Sequence, residues 1–342
     1  MTEPSPTTEL TTVLSFFRTN QILASLLYLP YLLPFLLANW LNKFHAEKPA
    51  ETGGWLYQHL MASWGSHTLS NSLLTALFLF LTATMLSQMV IDRQLDRSIT
   101  LFSGLFFLLT ASAMPGHLHF SPLMPAMLFL LLSIWQLLKV YKKYASTINL
   151  FDAGFWLGIA SLFMPLLSLL LIWEWLLLSK LRTPLKTRDL IGLSLGWLSP
   201  NFILGSFLYT QNKLGEFLHT QWSALFHFTW HSKQHLFSSE WIFPISTLLL
   251  LFFSFQTAFK KKEIGKKKII RSFYELLVLI ALITLLFSPD NGLLQLTALP
   301  LGIILALTFS QWPTQTAEGL HLVLYIAALF LLYEPFLKVS GF

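Results

Sequence analysis

Between Phe151 and Leu178 the chain reads FDAGFWLGIASLFMPLLSLLLIWEWLLL, almost unbroken apolar sequence with a basic cluster at each end. Lys139, Lys142 and Lys143 precede it; Lys180, Arg182, Lys186 and Arg188 follow it. A membrane helix needs about 20 residues to cross roughly 30 Å of hydrocarbon, so the run is too long for one pass. It is also too short for two full passes. Basic flanks stay on the cytoplasmic side, so both ends belong there and the run must enter the membrane and return. Proline removes a backbone donor and disfavours helix in the residue before it, which makes Met164-Pro165 the break. The sequence predicts two short helices, 151–163 and 165–178, joined as a hairpin.

Composition sets the solvent. Of 342 residues, 54% are hydrophobic and 11% charged, with 31 Phe and 12 Trp; a soluble domain carries about 25% charged residues. An all-α polytopic membrane protein follows. The net charge of +6 sits mainly in short loops, where it sets orientation and is no footprint for nucleic acid. The chain has no cysteine, which excludes disulfides, thiolate nucleophiles and cysteine metal sites. Residues 1–21 read as a cytoplasmic tail and interfacial lead-in, and residues 22–342 as a single transmembrane domain. Trp55, Trp64, Trp222, Trp230 and Trp241 lie in or beside loops, as interfacial aromatics do.

Apolar spans are expected at about 22–38, 69–91, 99–114, 123–138, 190–209, 241–259, 273–288, 293–310 and 320–334. With the two arms of the hairpin this makes about 11 hydrophobic segments. With the N-terminus inside and 151–178 going in and out, the basic stretches 92–98, 139–149, 179–189 and 260–271 all fall on the cytoplasmic side. The C-terminus then lies outside, the periplasmic face of a bacterial inner membrane. Every histidine but His321 also falls outside, on the connections 39–68, 115–122 and 210–240.

Those outer connections hold the candidate chemistry. Glu47 and Glu51 are the only carboxylates of the first. Lys48 and Lys213 are cations suited to phosphate, and His59, His117, His119, His227 and His231 suit phosphate binding or proton transfer. His227, His231 and His235 share one face if their segment is helical, and two imidazoles at that spacing can share a metal. A divalent metal ion is thus the one cofactor candidate. Phe226, Phe228 and Trp230 between them favour an interfacial helix, and no residue is assigned as a metal ligand. Glu174, between Trp173 and Trp175, is costly in a membrane unless paired, and Lys180 or Arg182 are the expected partners. Asp152 reads as a helix N-cap. Gly154 with Gly158, and Gly192 with Gly196, have the spacing that permits close helix packing. There is no GxxxxGK loop, HExxH or nucleophile elbow.

From about Leu101 to Tyr209, the stretches SPLMPAMLFLLLSIWQL, INLFDAGFWLGIASLFMPLL and LIGLSLGWLSPNFIL resemble a family of polytopic inner-membrane proteins of Bacteroidetes of unknown function, which brings no activity with it. More distantly, AGFWLGIASLFMP and GGWLYQHLMASWG, residues 53–65, resemble the membrane domain of GT-C glycosyltransferases. That resemblance implies a GT-C-like architecture and transfer from a polyprenyl-phosphate-linked sugar at the outer face. Glu51 or Glu47 would then be the base, with the histidines, Lys48 or Lys213 contacting phosphate. The chain departs from that pattern in two places. Glu47 and Glu51 lie further from the first span than the family's acids and are not adjacent, and Met164-Pro165 stands where a basic residue often occupies the hairpin tip.

Two other classes stand beside a transferase, active or degenerate. One is a non-catalytic scaffold or accessory subunit of an envelope secretion or motility assembly, its aromatic outer loops docking other membrane proteins. The other is a transporter, disfavoured because no matched pair of broken helices carries intramembrane charge.

Overall fold

A computed structural model describes residues 13–18, 22–41, 53–61, 68–113 except 97, 120–141, 147–226 except 183, 259, 262–287 and 292–339. The regular elements among these residues are helical. In chain order they are α1 (Val13–Phe16), α2 (Leu29–Leu41, entered through a 3-10 turn Ile22–Tyr28), α3 (Thr68–Asp92), α4 (Phe102–Ser112) and α5 (Leu123–Lys139). Next come α6 (Thr147–Phe163), α7 (Leu170–Leu181), α8 (Thr187–Thr210) and α9 (Leu214–Phe226). The last are α10 (Ile264–Phe287), α11 (Ala298–Phe309) and α12 (Thr314–Val339).

The apolar run breaks at the expected point. α6 ends at Phe163, Met164 is extended (φ −136°, ψ 99°), and Pro165 opens a 3-10 turn that leads into α7. Two sets of contacts show that the chain reverses there. Ser133 on α5 hydrogen-bonds both the Ala153 carbonyl of α6 and the Glu174 carboxyl of α7, so residues on either side of the break meet. α6 and α8 also run parallel. Gly192 faces Thr147, Gly196 faces Phe151 and Phe155, and Gly158 faces Trp197 and Pro200. Two helices consecutive but for α7 can be parallel only if α7 carries the chain back. The two arms are therefore a hairpin, with both ends at one end of the bundle.

Close approach at this seam rests on glycine. A Cβ on Gly154 would stand 1.9 Å from the Leu193 carbonyl oxygen, and one on Gly196 2.2 Å from that of Phe151. Gly192 differs: its Cβ would meet only the Thr147 methyl, at 3.7 Å. The two glycine pairs look alike in sequence, yet only three of the four glycines touch backbone.

Basic turns collect at the end where the hairpin starts. Trp135 donates to Asp92 at 3.0 Å. Buried Lys262 clamps the 92–98 turn through Asp96 at 2.7 Å and the Leu95 carbonyl at 2.9 Å. Lys180 pairs with Glu275, and Arg182 with fully buried Asp189 at 2.8 Å. Glu318 accepts from the backbone N–H groups of Val13 and Leu14 at 2.9 and 3.1 Å, holding α1 against the start of α12.

Among the described residues, three helical stretches are long and apolar enough to cross a membrane: Ser70–Asp92 of α3, Thr187–Thr210 (α8) and Thr314–Tyr333 of α12. α8 and α12 leave Phe202, Ile203 and Phe207, and Leu322, Val323 and Phe330, exposed along their lengths. Water-soluble monomers rarely expose so much contiguous apolar surface, and a lipid bilayer accommodates it. Other apolar helices are shorter. α4, with 11 residues, extends only about 16 Å at 1.5 Å per residue. It is buried from Phe102 to Ala111, packed within protein, so the 99–114 expectation overstates its length. α10 starts ahead of the expected 273, its first turns taking up Lys266, Lys267, Lys268 and Arg271. The expected span at 241–259 lies outside the described residues except for Phe259.

Two polar expectations are corrected. Glu174 is fully buried, but its partner is Ser133; Lys180 and Arg182 are engaged by Glu275 and Asp189. Among the described residues, the Glu174 Oε2 has no hydrogen-bond partner. Asp152 is no N-cap, because α6 begins at Thr147 and places it in the second turn.

Candidate functional site

The end opposite the basic turns is organised by the hairpin tip. Gly54 donates its N–H to the Phe163 carbonyl at 2.7 Å, fastening residues 53–61 across the tip. No side chain fits at this crossing: a Cβ on Gly54 would lie 2.3 Å from the Leu162 oxygen and 3.0 Å from Gln221 Oε1. Tyr57 donates to the Phe120 carbonyl at 2.9 Å, and Asn71 accepts from the Phe120 N–H, joining the strap to the ends of α3 and α5. Burial pushes the Tyr57 phenol up to about 12, so it is a neutral donor at physiological pH.

Trp55 follows the crossing and is 8% exposed, buried against the tip and Phe217. It is therefore no interfacial anchor. Its indole stacks on His59 with centroids 3.9 Å apart. The exposed His59 ring donates from Nδ1 to the Trp55 carbonyl at 3.0 Å. A carbonyl can only accept, so this bond sets the tautomer and leaves Nε2 as an acceptor when the ring is neutral.

α9 closes the site. Residues 210–240 read as a connection, but Leu214–Phe226 is an amphipathic helix that places Phe217 and Gln221 one turn apart against the tip. Gln221 is 6% exposed, and among the described residues neither its Oε1 nor its Nε2 has a partner. It lines a crevice with Ser161, Pro165 and Ser168 of the hairpin, Trp197 and Asn201 of α8, and Trp222 and Leu225 of α9. The indole N–H of Trp197 is also buried and unpartnered, as is that of Trp55 above. Buried polar groups are normally hydrogen-bonded, and leaving one unpaired costs about 1–3 kcal/mol. The crevice holds only about 10 Å³, room for a single water or hydroxyl, so the unmet amide can receive one small donor–acceptor group there. Among the described residues, no ionisable side chain lines the crevice. It can bind and orient a neutral donor–acceptor group, and any acid–base step needs a carboxylate from elsewhere.

Of the residues expected from sequence, the structure brings His59 to this site through Trp55. Lys213 is exposed in the turn into α9, just after Asn212 at φ 58°. Glu47, Lys48, Glu51, His117, His119, His227 and His231 lie outside the described residues, as does the whole His227, His231 and His235 face. Sequence reading missed Gln221, Trp197, Asn201, Ser161 and Ser168. One signal was there: read as a helix, LGEFLHTQWSALF sets Gln221 on the face of Phe217, a polar residue on an apolar stripe. Compared with protein-family models, curated proteins and solved structures, the chain finds no match.

Proposed function

We propose that this chain is a multi-pass bacterial inner-membrane protein that takes up the head of a polyprenyl-phosphate-linked sugar at its periplasmic end, as a GT-C-like transferase. The N-terminus and basic turns are cytoplasmic in this reading, the C-terminus is periplasmic, and the chain makes about 11 membrane segments. One observation carries the proposal: the unpaired Gln221 amide, beside the Trp197 N–H, in an uncharged crevice at the tip of a re-entrant hairpin. Hydroxyl groups of a sugar both donate and accept, as that amide requires, and the ring of Trp222 at the crevice gives it aromatic surface. Glu51, three residues before the Gly54 crossing in sequence, is the base, with Glu47 as its alternate. Lys48, Lys213, His59, His117, His119, His227 and His231 supply the phosphate contacts. A divalent metal ion is the one cofactor this chemistry admits.

The test is binding and turnover by the full chain in nanodiscs, with a polyprenyl-phosphate sugar labelled in the sugar. Glu51→Gln should abolish transfer and leave binding intact, and Gln221→Leu should weaken binding of the sugar-bearing lipid. If both variants bind and turn over the lipid as the parent does, or the parent ignores it, the transferase reading fails. The chain is then better taken as a scaffold for other envelope proteins.

A further inference from the structure

The outward face of α10 joins two surfaces that differ in kind. Its exposed positions follow helical spacing: Ile264, Lys267, Lys268, Arg271, then Val278 and Leu282. Val278 and Leu282, 70% and 50% exposed, form an apolar end of the stripe that suits lipid. Two turns toward the basic end, the same stripe turns cationic. Glu275, the carboxylate between, is already paired with Lys180. Lys268 reaches only the Lys180 carbonyl, at 3.3 Å. Among the described residues, Lys267, Lys268 and Arg271 have no carboxylate partner, as Lys139, Lys186, Arg188 and Lys266 have none, while Arg93, Lys180, Arg182 and Lys262 each have one.

We infer that this stripe binds the headgroup of an anionic phospholipid whose acyl chains lie along Val278 and Leu282. Arg271 stands about 10 Å along the axis from Val278 at 1.5 Å per residue. A headgroup layer is roughly 5–8 Å thick on each side of the hydrocarbon, so an arginine side chain from that position reaches the phosphate level. Charge complementarity selects the occupant: three cations against the one unengaged carboxylate of Glu263, with Glu275 held by Lys180, favour a headgroup of net negative charge over a zwitterionic one. The inference rests on the membrane setting and is independent of any activity at the hairpin tip.

Full-length protein in detergent, titrated with dioctanoyl-phosphatidylglycerol and separately with dioctanoyl-phosphatidylcholine, tests it by native mass spectrometry. The parent should retain the glycerol lipid in preference to the choline lipid. Each juxtamembrane cation contributes about a factor of five to ten in affinity, so Lys267→Gln with Arg271→Gln should lower phosphatidylglycerol affinity roughly thirtyfold. Lys267→Arg with Arg271→Lys should retain it. The charge-matched pair Lys186→Gln with Arg188→Gln, at the foot of α8, should retain most of it. Equal binding of the two lipids by the parent overturns the site, and so does an equal loss in the α8 and α10 pairs, since a diffuse basic surface then accounts for the binding.

Discussion

Substituting alanine for the glycines of the α6–α8 seam separates a sequence motif from a physical contact. At Gly154 the new methyl would sit 1.9 Å from the Leu193 carbonyl oxygen and 2.8 Å from the Trp197 nitrogen. Both neighbours are backbone, so no side chain can rotate away, and ordinary contact begins at 3.4 Å. The helices must part by up to about 1.5 Å over the contact, the difference of those two distances, which also disturbs the packing around Gly158 and Gly196. Overpacking of this kind costs about 1–3 kcal/mol. Alanine offsets up to about 1 kcal/mol of that through its better helix propensity, so Gly154→Ala should be destabilised by about 1–2 kcal/mol and Gly196→Ala by a similar amount. Gly192→Ala meets only the Thr147 methyl at 3.7 Å; it gains the propensity term without the clash and should be neutral or up to about 1 kcal/mol more stable. Thermal unfolding of the purified chain in one detergent ranks the three variants. If Gly154→Ala matches or exceeds Gly192→Ala in stability, the helices do not touch backbone to backbone at this seam and the parallel α6–α8 arrangement is wrong.

Further outcomes follow from single contacts. Glu174→Gln should fold with undiminished stability, because the amide keeps a hydrogen bond to Ser133 and removes a buried carboxyl that has no cation partner; a loss of several degrees in melting temperature would refute that. Arg182→Met should lose about 3–5 kcal/mol by stranding the fully buried Asp189 carboxylate, and adding Asp189→Asn should restore part of it in a double-mutant cycle. Tyr57→Phe should cost about 1–2 kcal/mol by leaving the Phe120 carbonyl unpaired; its readout is faster limited proteolysis between residues 53 and 61, and unchanged cleavage would show that the strap is held by other contacts.

Apolar run length, loop charge and proline position reached far into this fold. The break at Met164-Pro165, the return of the chain to its starting end, and the bounds of α3 and α8 to within a few residues all follow from them. These are local or one-dimensional properties: a proline acts on its own turn, and an apolar run long enough to leave water declares itself wherever it goes. What such a run cannot declare is which apolar neighbour receives it, because lipid and protein interior exclude water alike. Contacts between distant segments decided that. They enclosed α4 in protein and left α8 and α12 facing outward, gave Glu174 a serine instead of the nearby basic residues, and made Gly196 a backbone contact and Gly192 an open one. The same limit hid the candidate site. Gln221 is an ordinary polar residue in sequence, and among the described residues it becomes a buried amide without a protein partner only when α9 folds against the hairpin tip, where Gly54 bonds Phe163.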